Sequence, residues 1–325
     1  MLLTALLFLL GLALLVGGGE SLVRGAAAIA HSVGVPPLAV GLVVVGFGTS
    51  APEFFIAVTG AASGAADVSF GNVVGAVIVN IALILGATAL FRPLSVNAIV
   101  VTREIPMASL AIVATVILSF DALLGGGIDR LTRGDGLILL LLFCLFLYYT
   151  VRGLRNAPRD EFVRAAQKLG WRLRARSLAS PTGFIFLGLF GLIVGGNLLV
   201  DSAVTIADAA GMTPAAIGLT IVAIGTTMPE LTTALLAVRR GESDLAVGGI
   251  VGSNIFNTLA VLGTAAAISP IDVSARGQIA LLIATGLTLL LIVFSATQKK
   301  TLIRPEGLFL IGVFAVYMVW VFAFR

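Results

Sequence analysis

Long apolar runs separated by short polar connections dominate the pattern of this chain. Ten runs are about 17–25 residues long, which is enough for a helix to cross a bilayer. They cover approximately residues 2–24, 35–60, 70–90, 97–119, 136–152, 182–203, 213–237, 245–268, 277–296 and 305–324. The pattern predicts an all-α integral membrane protein with ten transmembrane helices.

The chain also contains an internal repeat. The stretch GVPPLAVGLVVVGFGTSAPE, Gly34 to Glu53, recurs 177 residues later as GMTPAAIGLTIVAIGTTMPE, Gly211 to Glu230. Matches at the same offset continue through the next apolar run, as far as Asn80 with Asn257 and beyond. Five spans then belong to each repeat, and an odd number of spans reverses the orientation of the second one. This predicts two inverted-topology repeats of five helices.

The basic residues indicate the boundaries and the orientation. A hydrophilic stretch at 152–181 reads as a basic cytoplasmic linker between a first repeat at 1–151 and a second at 182–325. With the N-terminus outside, most Lys and Arg residues fall in cytoplasmic segments, as the positive-inside rule requires. We therefore expect a multi-pass protein of the cell (plasma or inner) membrane with both termini outside.

Composition narrows the possible functions. The chain is 59% hydrophobic and 11% charged, whereas soluble domains have about 25% charged residues. One Cys and one His exclude a disulfide framework and a soft-ligand zinc, copper or iron site. A bound metal would therefore be a hard cation held by oxygen. The net charge of +4 does not indicate nucleic-acid binding, because the basic residues lie between apolar spans.

The repeated motif carries the candidate chemistry. Glu53 and Glu230 both lie inside apolar runs, where a charge costs about 2.5–3.5 kcal/mol or more. In a helix, the hydroxyls of Thr49 and Ser50 share a face with Glu53, and Pro52 disrupts the backbone ladder and frees nearby carbonyls. The second copy repeats this arrangement with Thr226, Thr227, Pro229 and Glu230. The motif thus predicts a site of hard oxygen ligands suited to Ca²⁺ or Na⁺.

The next span of each repeat adds polar groups to the same region. In GGIVGSNIFN, Ser253 and Asn257 are four residues apart and share a helix face, and GNVVGAVIVN keeps Asn80 but has Ala76 in place of the serine. Such residues also serve as hydrogen-bonding contacts between membrane helices. A structural pairing of the glutamates with a buried Arg lacks a partner, since their spans carry Lys or Arg only at the ends.

These motifs closely resemble those of the Na⁺/Ca²⁺ exchangers in the cation/Ca²⁺ exchanger superfamily, which read G-T-S-x-P-E followed by G-N-x-x-G-S-N-I-x-N. The resemblance implies ten helices in inverted repeats, with alpha motifs at 46–80 and 223–257 and ion sites between spans two, three, seven and eight. It also implies that spans one and six slide to alternate access. Ca²⁺ would be bound by Glu53 and Glu230, assisted by Thr49 and Thr226. Na⁺ would use Ser50, Thr227, Ser253, Asn80, Asn257 and the carbonyls of Gly46 and Ala223.

The chain departs from the family pattern at several positions. Ala76 removes a hydroxyl, which leaves the ion stoichiometry open. Asn257 stands where K⁺-dependent relatives carry aspartate, which argues against K⁺ dependence. The G-N-x-x-E pattern of the H⁺/Ca²⁺ branch is absent, which favours Na⁺ coupling.

The sequence therefore predicts a secondary antiporter that exchanges Na⁺ for Ca²⁺. Three alternatives stay open: a H⁺-coupled antiporter of Ca²⁺ or another divalent cation, a passive cation channel, and a membrane scaffold without transport. The spans contain no evident pair of a nucleophile and a base, so the sequence does not indicate an enzyme. No cofactor is expected, and Ca²⁺ and Na⁺ are the transported ions. The expected partners are Ca²⁺, Na⁺ and the lipid bilayer, and a monomer is compatible with the sequence.

Overall fold

In the computed structural model the described residues are 2–32, 49–96, 100–122, 127–155, 181–209, 211–239, 243–296 and 300–323. The predicted linker and Gly46 therefore lie outside the described residues, apart from the ends of the linker. The regular structure of the described residues is helical apart from four two-residue strands, and short turns and loops join the elements.

Several helices of the first half are continued or preceded by π-helical segments. The elements in chain order are α1 (Leu2–Ser32), α2 (Ala51–Ala62), α3 (Ala66–Ile78), π1 (Val79–Leu85), α4 (Gly86–Phe91), β1 (Leu94–Ser95), π2 (Val100–Glu104), α5 (Ile105–Ser119), β2 (Arg130–Leu131) and α6 (Arg133–Arg155).

The second half has a similar series of elements, with three additional short elements before the helix that matches α2 and no described counterpart of π2. It comprises α7 (Pro181–Ala209), α8 (Pro214–Ile217), π3 (Gly218–Val222), α9 (Ala223–Thr226), α10 (Met228–Arg239), α11 (Ser243–Ile255), π4 (Phe256–Val261), α12 (Leu262–Ile268), β3 (Ile271–Asp272), α13 (Ala275–Ala296), β4 (Thr301–Leu302) and α14 (Arg304–Ala323). The bounds of α2, α3 and β1 recur at α10, α11 and β3 with the offset of the sequence repeat.

The helices confirm a multi-pass membrane protein. Seven helical stretches of the described chain are long and apolar enough to cross a bilayer: Ala66–Phe91, Val100–Ser119, Arg133–Thr150, Pro181–Ile206, Ala246–Ile268, Ala275–Ser295 and Arg304–Ala323. Shorter apolar stretches occur at Leu2–Gly18 and Ala51–Ala62.

Two of these spans occupy the interior of the protein. In Ala66–Phe91 and Ala246–Ile268, 83% of the apolar stretch is buried, against 22% to 39% in the other five. The first is built from α3, π1 and α4, and the second contains most of α11 together with π4 and α12. The outer helices instead expose large apolar side chains such as Leu141 and Phe186, as expected for surfaces that face lipid.

The first helices of the two halves, α1 and α7, pack closely and run antiparallel. A Cβ atom placed on Gly11 would lie 2.9 Å from the Gly195 carbonyl oxygen, and one placed on Gly25 would lie 2.7 Å from the Pro181 carbonyl oxygen. As the residue numbers of the contacting positions increase along α1, those of their partners in α7 decrease. Glycine at these positions allows the two backbones to touch, as in other small-residue interfaces of membrane helices.

Further contacts between the halves occur in reciprocal pairs. Strand β1 pairs antiparallel with β4, and β3 pairs antiparallel with β2. Likewise, Gly86 of α4 lies against Gly307 of α14, and Gly263 of α12 lies against Gly136 of α6. Each of these contacts between one element and its neighbour in the other half therefore has a counterpart with the halves exchanged.

Candidate functional site

The helix carrying each glutamate begins directly after a break in the backbone. Ser50 before α2 has φ −91° and ψ 9°, and Thr227 before α10 has φ −83° and ψ 5°. Both lie in the sparsely populated bridge region, and each is followed two residues later by a proline that cannot donate to the helix. Glu53 and Glu230 consequently sit in the first turn of a new helix, where the helix dipole favours an anion.

The two glutamates are buried next to each other. Glu53 is 0% exposed and Glu230 is 4% exposed, and their carboxylates are close enough for the two charges to repel. Within the described residues, neither oxygen of Glu53 has a hydrogen-bond partner, and Oε2 of Glu230 has none. Buried carboxylate oxygens without compensation are costly, so this pair requires a cation or a proton.

Hydroxyl groups from both halves of the chain approach Glu230. Its Oε1 accepts hydrogen bonds from Ser50 at 3.2 Å and from Ser253 at 3.4 Å. The Thr49 hydroxyl also faces this carboxylate. Three residues proposed from the sequence are thus brought together around one glutamate.

Two amides that the sequence predicts as ion ligands lie on the interior π segments. Asn80 lies in π1 and Asn257 lies in π4, and both are 0% exposed. Asn80 donates from Nδ2 to Oδ1 of Asn254 at 2.9 Å. Among the described residues, Asn80 Oδ1 and both amide atoms of Asn257 have no partner. π-helical turns of this kind occur frequently at functional sites.

The second-half hydroxyls are engaged with protein. Thr227 donates to the Ala223 carbonyl at 2.9 Å, and Thr226 hydrogen bonds to Asn72 Oδ1 at 3.1 Å and to the Ala223 carbonyl at 3.2 Å. Thr226 also faces the Glu53 carboxylate. The Ala223 carbonyl, expected as a Na⁺ ligand, is therefore already hydrogen bonded in this structure, and the matching Gly46 lies outside the described residues.

Asn72 and Asn254 are two buried polar residues that the sequence reasoning did not include in the site. Both lie inside the quoted motifs, Asn72 in GNVVGAVIVN and Asn254 in GGIVGSNIFN. Their matched positions hold Gly249 and Val77, so comparison of the repeats passed over them. The one feature of the sequence that could have indicated a role for these two residues is the presence of an asparagine inside an apolar run.

These groups are buried oxygen atoms of the kind that hard cations prefer. The buried oxygens without a partner in the described part of the chain belong to Glu53, Glu230, Asn80 and Asn257. No three His, Cys, Asp or Glu residues of that part are grouped so that they could hold a metal ion, so a cation would be held by two carboxylates together with hydroxyl and amide oxygens. Oxygen ligands of this kind suit Ca²⁺. Fold and site together define a multi-pass membrane protein with a buried site suited to cations.

Comparison with known proteins identifies the family. The profile of the sodium/calcium exchanger protein family matches residues 3–152 and 180–323. The chain therefore belongs to this family, whose members are transporters.

Individual relatives agree with that assignment. The chain is 37% identical to a putative antiporter named CaxA from Alkalimonas amylolytica, over 99% of this chain and 100% of the relative. It is 26% identical to the sodium/calcium exchanger MaX1 of Methanosarcina acetivorans, over 98% of both. The solved structure of the sodium-calcium exchanger NCX_Mj superposes with a TM-score of 0.66 at 26% identity, covering 98% of both chains.

Proposed function

We propose that this protein exchanges Na⁺ for Ca²⁺ across the cell membrane, with both ions competing for a site between Glu53 and Glu230. The observation that carries the proposal is the buried pair of carboxylates with three oxygens that lack a partner in the described residues. Two negative charges match the charge of one Ca²⁺ or of two Na⁺ ions. The relatives named sodium/calcium exchangers support these two ions as the cargo.

The proposed architecture is ten spans in two inverted repeats. The seven long spans account for spans three to six and eight to ten. The apolar helix Leu2–Gly18 supplies the first span, α2 belongs to the second, and α8, π3, α9 and α10 form a broken seventh. Antiparallel packing of the matched helices α1 and α7 and the reciprocal contacts between halves support the inversion.

The proposed orientation has the N-terminus outside. The end of the bundle with β1 and β4 then faces the cytoplasm, and the end with β2 and β3 faces the exterior. Arg92 and Arg304 lie at the cytoplasmic end, in agreement with the positive-inside rule. The linker at 152–181 stays a proposed cytoplasmic connection between domains at 1–151 and 182–325.

Coupling follows from the cost of leaving the site empty. Without a cation, two carboxylates would stay unpaired in a medium of low dielectric, where burying an isolated charge is strongly unfavourable. A conformation that closes the site to both sides is then accessible only with Ca²⁺ or Na⁺ bound. Movement of the paired helices α1 and α7 against the rest would expose the loaded site alternately, which yields exchange and prevents leak.

The test is Ca²⁺ transport by the full chain in lipid vesicles. Vesicles loaded with Na⁺ are diluted into Na⁺-free buffer with radioactive Ca²⁺, and we expect uptake that Glu53→Gln abolishes. Glu104→Gln is the matched control, because Glu104 also lies in a spanning helix but pairs with Arg103 at 3.8 Å. This control should retain transport. Absence of Na⁺-driven uptake by the wild type would overturn the proposal.

Two further arms separate the alternatives. A pH gradient without Na⁺ drives uptake only in a H⁺-coupled antiporter, for which the buried Glu53 carboxylate is the candidate proton carrier. A Ca²⁺ gradient alone, with no counter-ion inside, drives flux only through a channel. The exchanger is expected to show neither flux.

A further inference from the structure

The two amides at the site, those of Asn80 and Asn257, have unlike surroundings. Asn80 donates its Nδ2 proton to Asn254 Oδ1 over 2.9 Å, and both side chains are buried. Asn257 holds the matched position in the other half, yet neither end of its amide has a partner in the described chain. The sequence explains this difference between the two amides, because the residue that matches Asn254 is Val77, whose side chain cannot accept a hydrogen bond.

We infer that Asn254 is a positioning residue that directs the oxygen of Asn80 toward the bound cation. This inference rests on the proposed function. An amide side chain has a donor end and an acceptor end, and a cation is attracted only to the acceptor. Because Asn254 takes the donor end of Asn80, the end left over is Oδ1, the atom without a partner among the described residues. A reversed amide would present N–H groups to the cation.

As a consequence, the amides of the two halves contribute unequally to cation binding. The second half holds the Asn80 amide of the first half in place, whereas Val77 of the first half gives no such support to Asn257. Asn80 is therefore preorganised as an oxygen ligand, and preorganisation raises affinity by removing the cost of ordering a group on binding. The Asn257 amide can adopt either orientation, so it contributes less to cation binding.

Substitution of Asn254 tests this role in the purified full-length protein. Asn254→Val removes the acceptor and installs the residue that the fold already accommodates at position 77. We expect Ca²⁺ binding, measured by isothermal titration calorimetry, to weaken about two- to tenfold, the range for a net hydrogen bond. In vesicles the KM for Ca²⁺ should rise by a similar factor while the maximal rate stays within about twofold, because the hydrogen bond acts on ligand orientation.

A conservative variant and a packing control separate positioning from a structural role. Asn254→Asp keeps an oxygen that accepts the Asn80 proton, so its Ca²⁺ affinity should be at least that of the wild type. Val77→Ala perturbs packing at the matched position, and it should leave the Ca²⁺ affinity within about twofold, since it deletes no polar contact. If Asn254→Val does not fold, Asn254→Asp decides the matter: weaker Ca²⁺ binding by this folded variant would overturn the inference.

A double-mutant cycle shows whether Asn254 acts through Asn80. Once Asn80→Ala has removed the amide, adding Asn254→Val should weaken Ca²⁺ binding no further. An unchanged affinity in Asn254→Val alone, or losses that simply add in the double variant, would overturn the inference and leave the exchanger proposal standing. A wild-type protein that neither binds nor transports Ca²⁺ would instead remove the proposed function itself.

Discussion

The Ser50 hydroxyl donates to Glu230 Oε1 over 3.2 Å and joins residues 180 positions apart in the chain. Ser50 stands at the break before α2, and Glu230 lies in the first turn of the matching helix α10. The contact therefore links the broken helix of one repeat directly to the glutamate of the other. A shift of either helix would therefore alter this contact between the two halves.

Replacement of Ser50 by alanine should weaken ion binding. A hydrogen bond to a charged group contributes about 1.5–3 kcal/mol, so Ser50→Ala is expected to raise the KM for Ca²⁺ roughly tenfold or more in vesicle uptake. Thr227→Val at the matched position should have a smaller effect, because the Thr227 hydroxyl donates to the Ala223 carbonyl of its own helix. A larger effect for Thr227→Val than for Ser50→Ala would contradict this difference between the hydrogen bonds of the two hydroxyls.

A serine at position 76 should supply the hydroxyl that the first half lacks. Ala76 matches Ser253, whose hydroxyl lies 3.4 Å from Glu230, and its Cβ is buried. Ala76→Ser is expected to steepen the dependence of Ca²⁺ uptake on Na⁺ concentration, measured as the Hill coefficient. Ser253→Ala should make that dependence shallower. An unchanged coefficient in both variants would show that these hydroxyls do not contribute to Na⁺ binding.

The glutamates and the neighbouring hydroxyl residues could be predicted from the sequence, because residue type and spacing within one short segment identify them. A carboxylate inside an apolar run is unusual by itself, and its recurrence with the same flanking residues made Glu53 and Glu230 conspicuous. The four-residue spacing predicts Thr49 on the face of Glu53 and Ser253 on that of Asn257. In the structure, however, the backbone breaks at Ser50, and Thr49 faces Glu230 of the other repeat.

The cross-repeat contacts were not accessible from the sequence. The partners of Asn72 and Asn254 depend on how the interior helices pack against the opposite half, which no local spacing encodes. The π segments have no residue signature comparable to Pro52. The Ala223 carbonyl illustrates the same limit, because in the structure it accepts hydrogen bonds from the Thr227 N–H and from the hydroxyls of Thr226 and Thr227.

The Tyr317 hydroxyl should contribute to the stability of the segment that contains π3. It donates to the Leu219 carbonyl of π3 over 2.9 Å, and Tyr317 is 2% exposed. Tyr317→Phe leaves a buried carbonyl without this donor, which costs about 1–3 kcal/mol. We expect a lower melting temperature in detergent. Tyr148→Phe is the control, because Tyr148 is 57% exposed and its loss should change the melting temperature little.

The tight contact between α1 and α7 should not tolerate an added methyl group. A Cβ on Gly195 would lie 2.8 Å from the Gly11 carbonyl oxygen, so Gly195→Ala forces the helices apart. Overpacking of this kind costs about 1–3 kcal/mol, and the melting temperature should fall, together with the transport rate if these helices move. Gly17→Ala is the matched control, because nothing lies within 4 Å of its added Cβ. Equal behaviour of the two variants would contradict the proposed close contact.

The inverted topology can be tested at one pair of matched, exposed positions. Ser95 at the end of β1 and Asp272 at the end of β3 differ by the repeat offset and are both exposed. Cys144 is the only cysteine, so its replacement by alanine gives a background for Ser95→Cys and Asp272→Cys. In intact cells a membrane-impermeant maleimide should label position 272 and reach position 95 only after permeabilisation. Labelling of both from one side would refute the inversion, and the opposite pattern would reverse the assigned orientation.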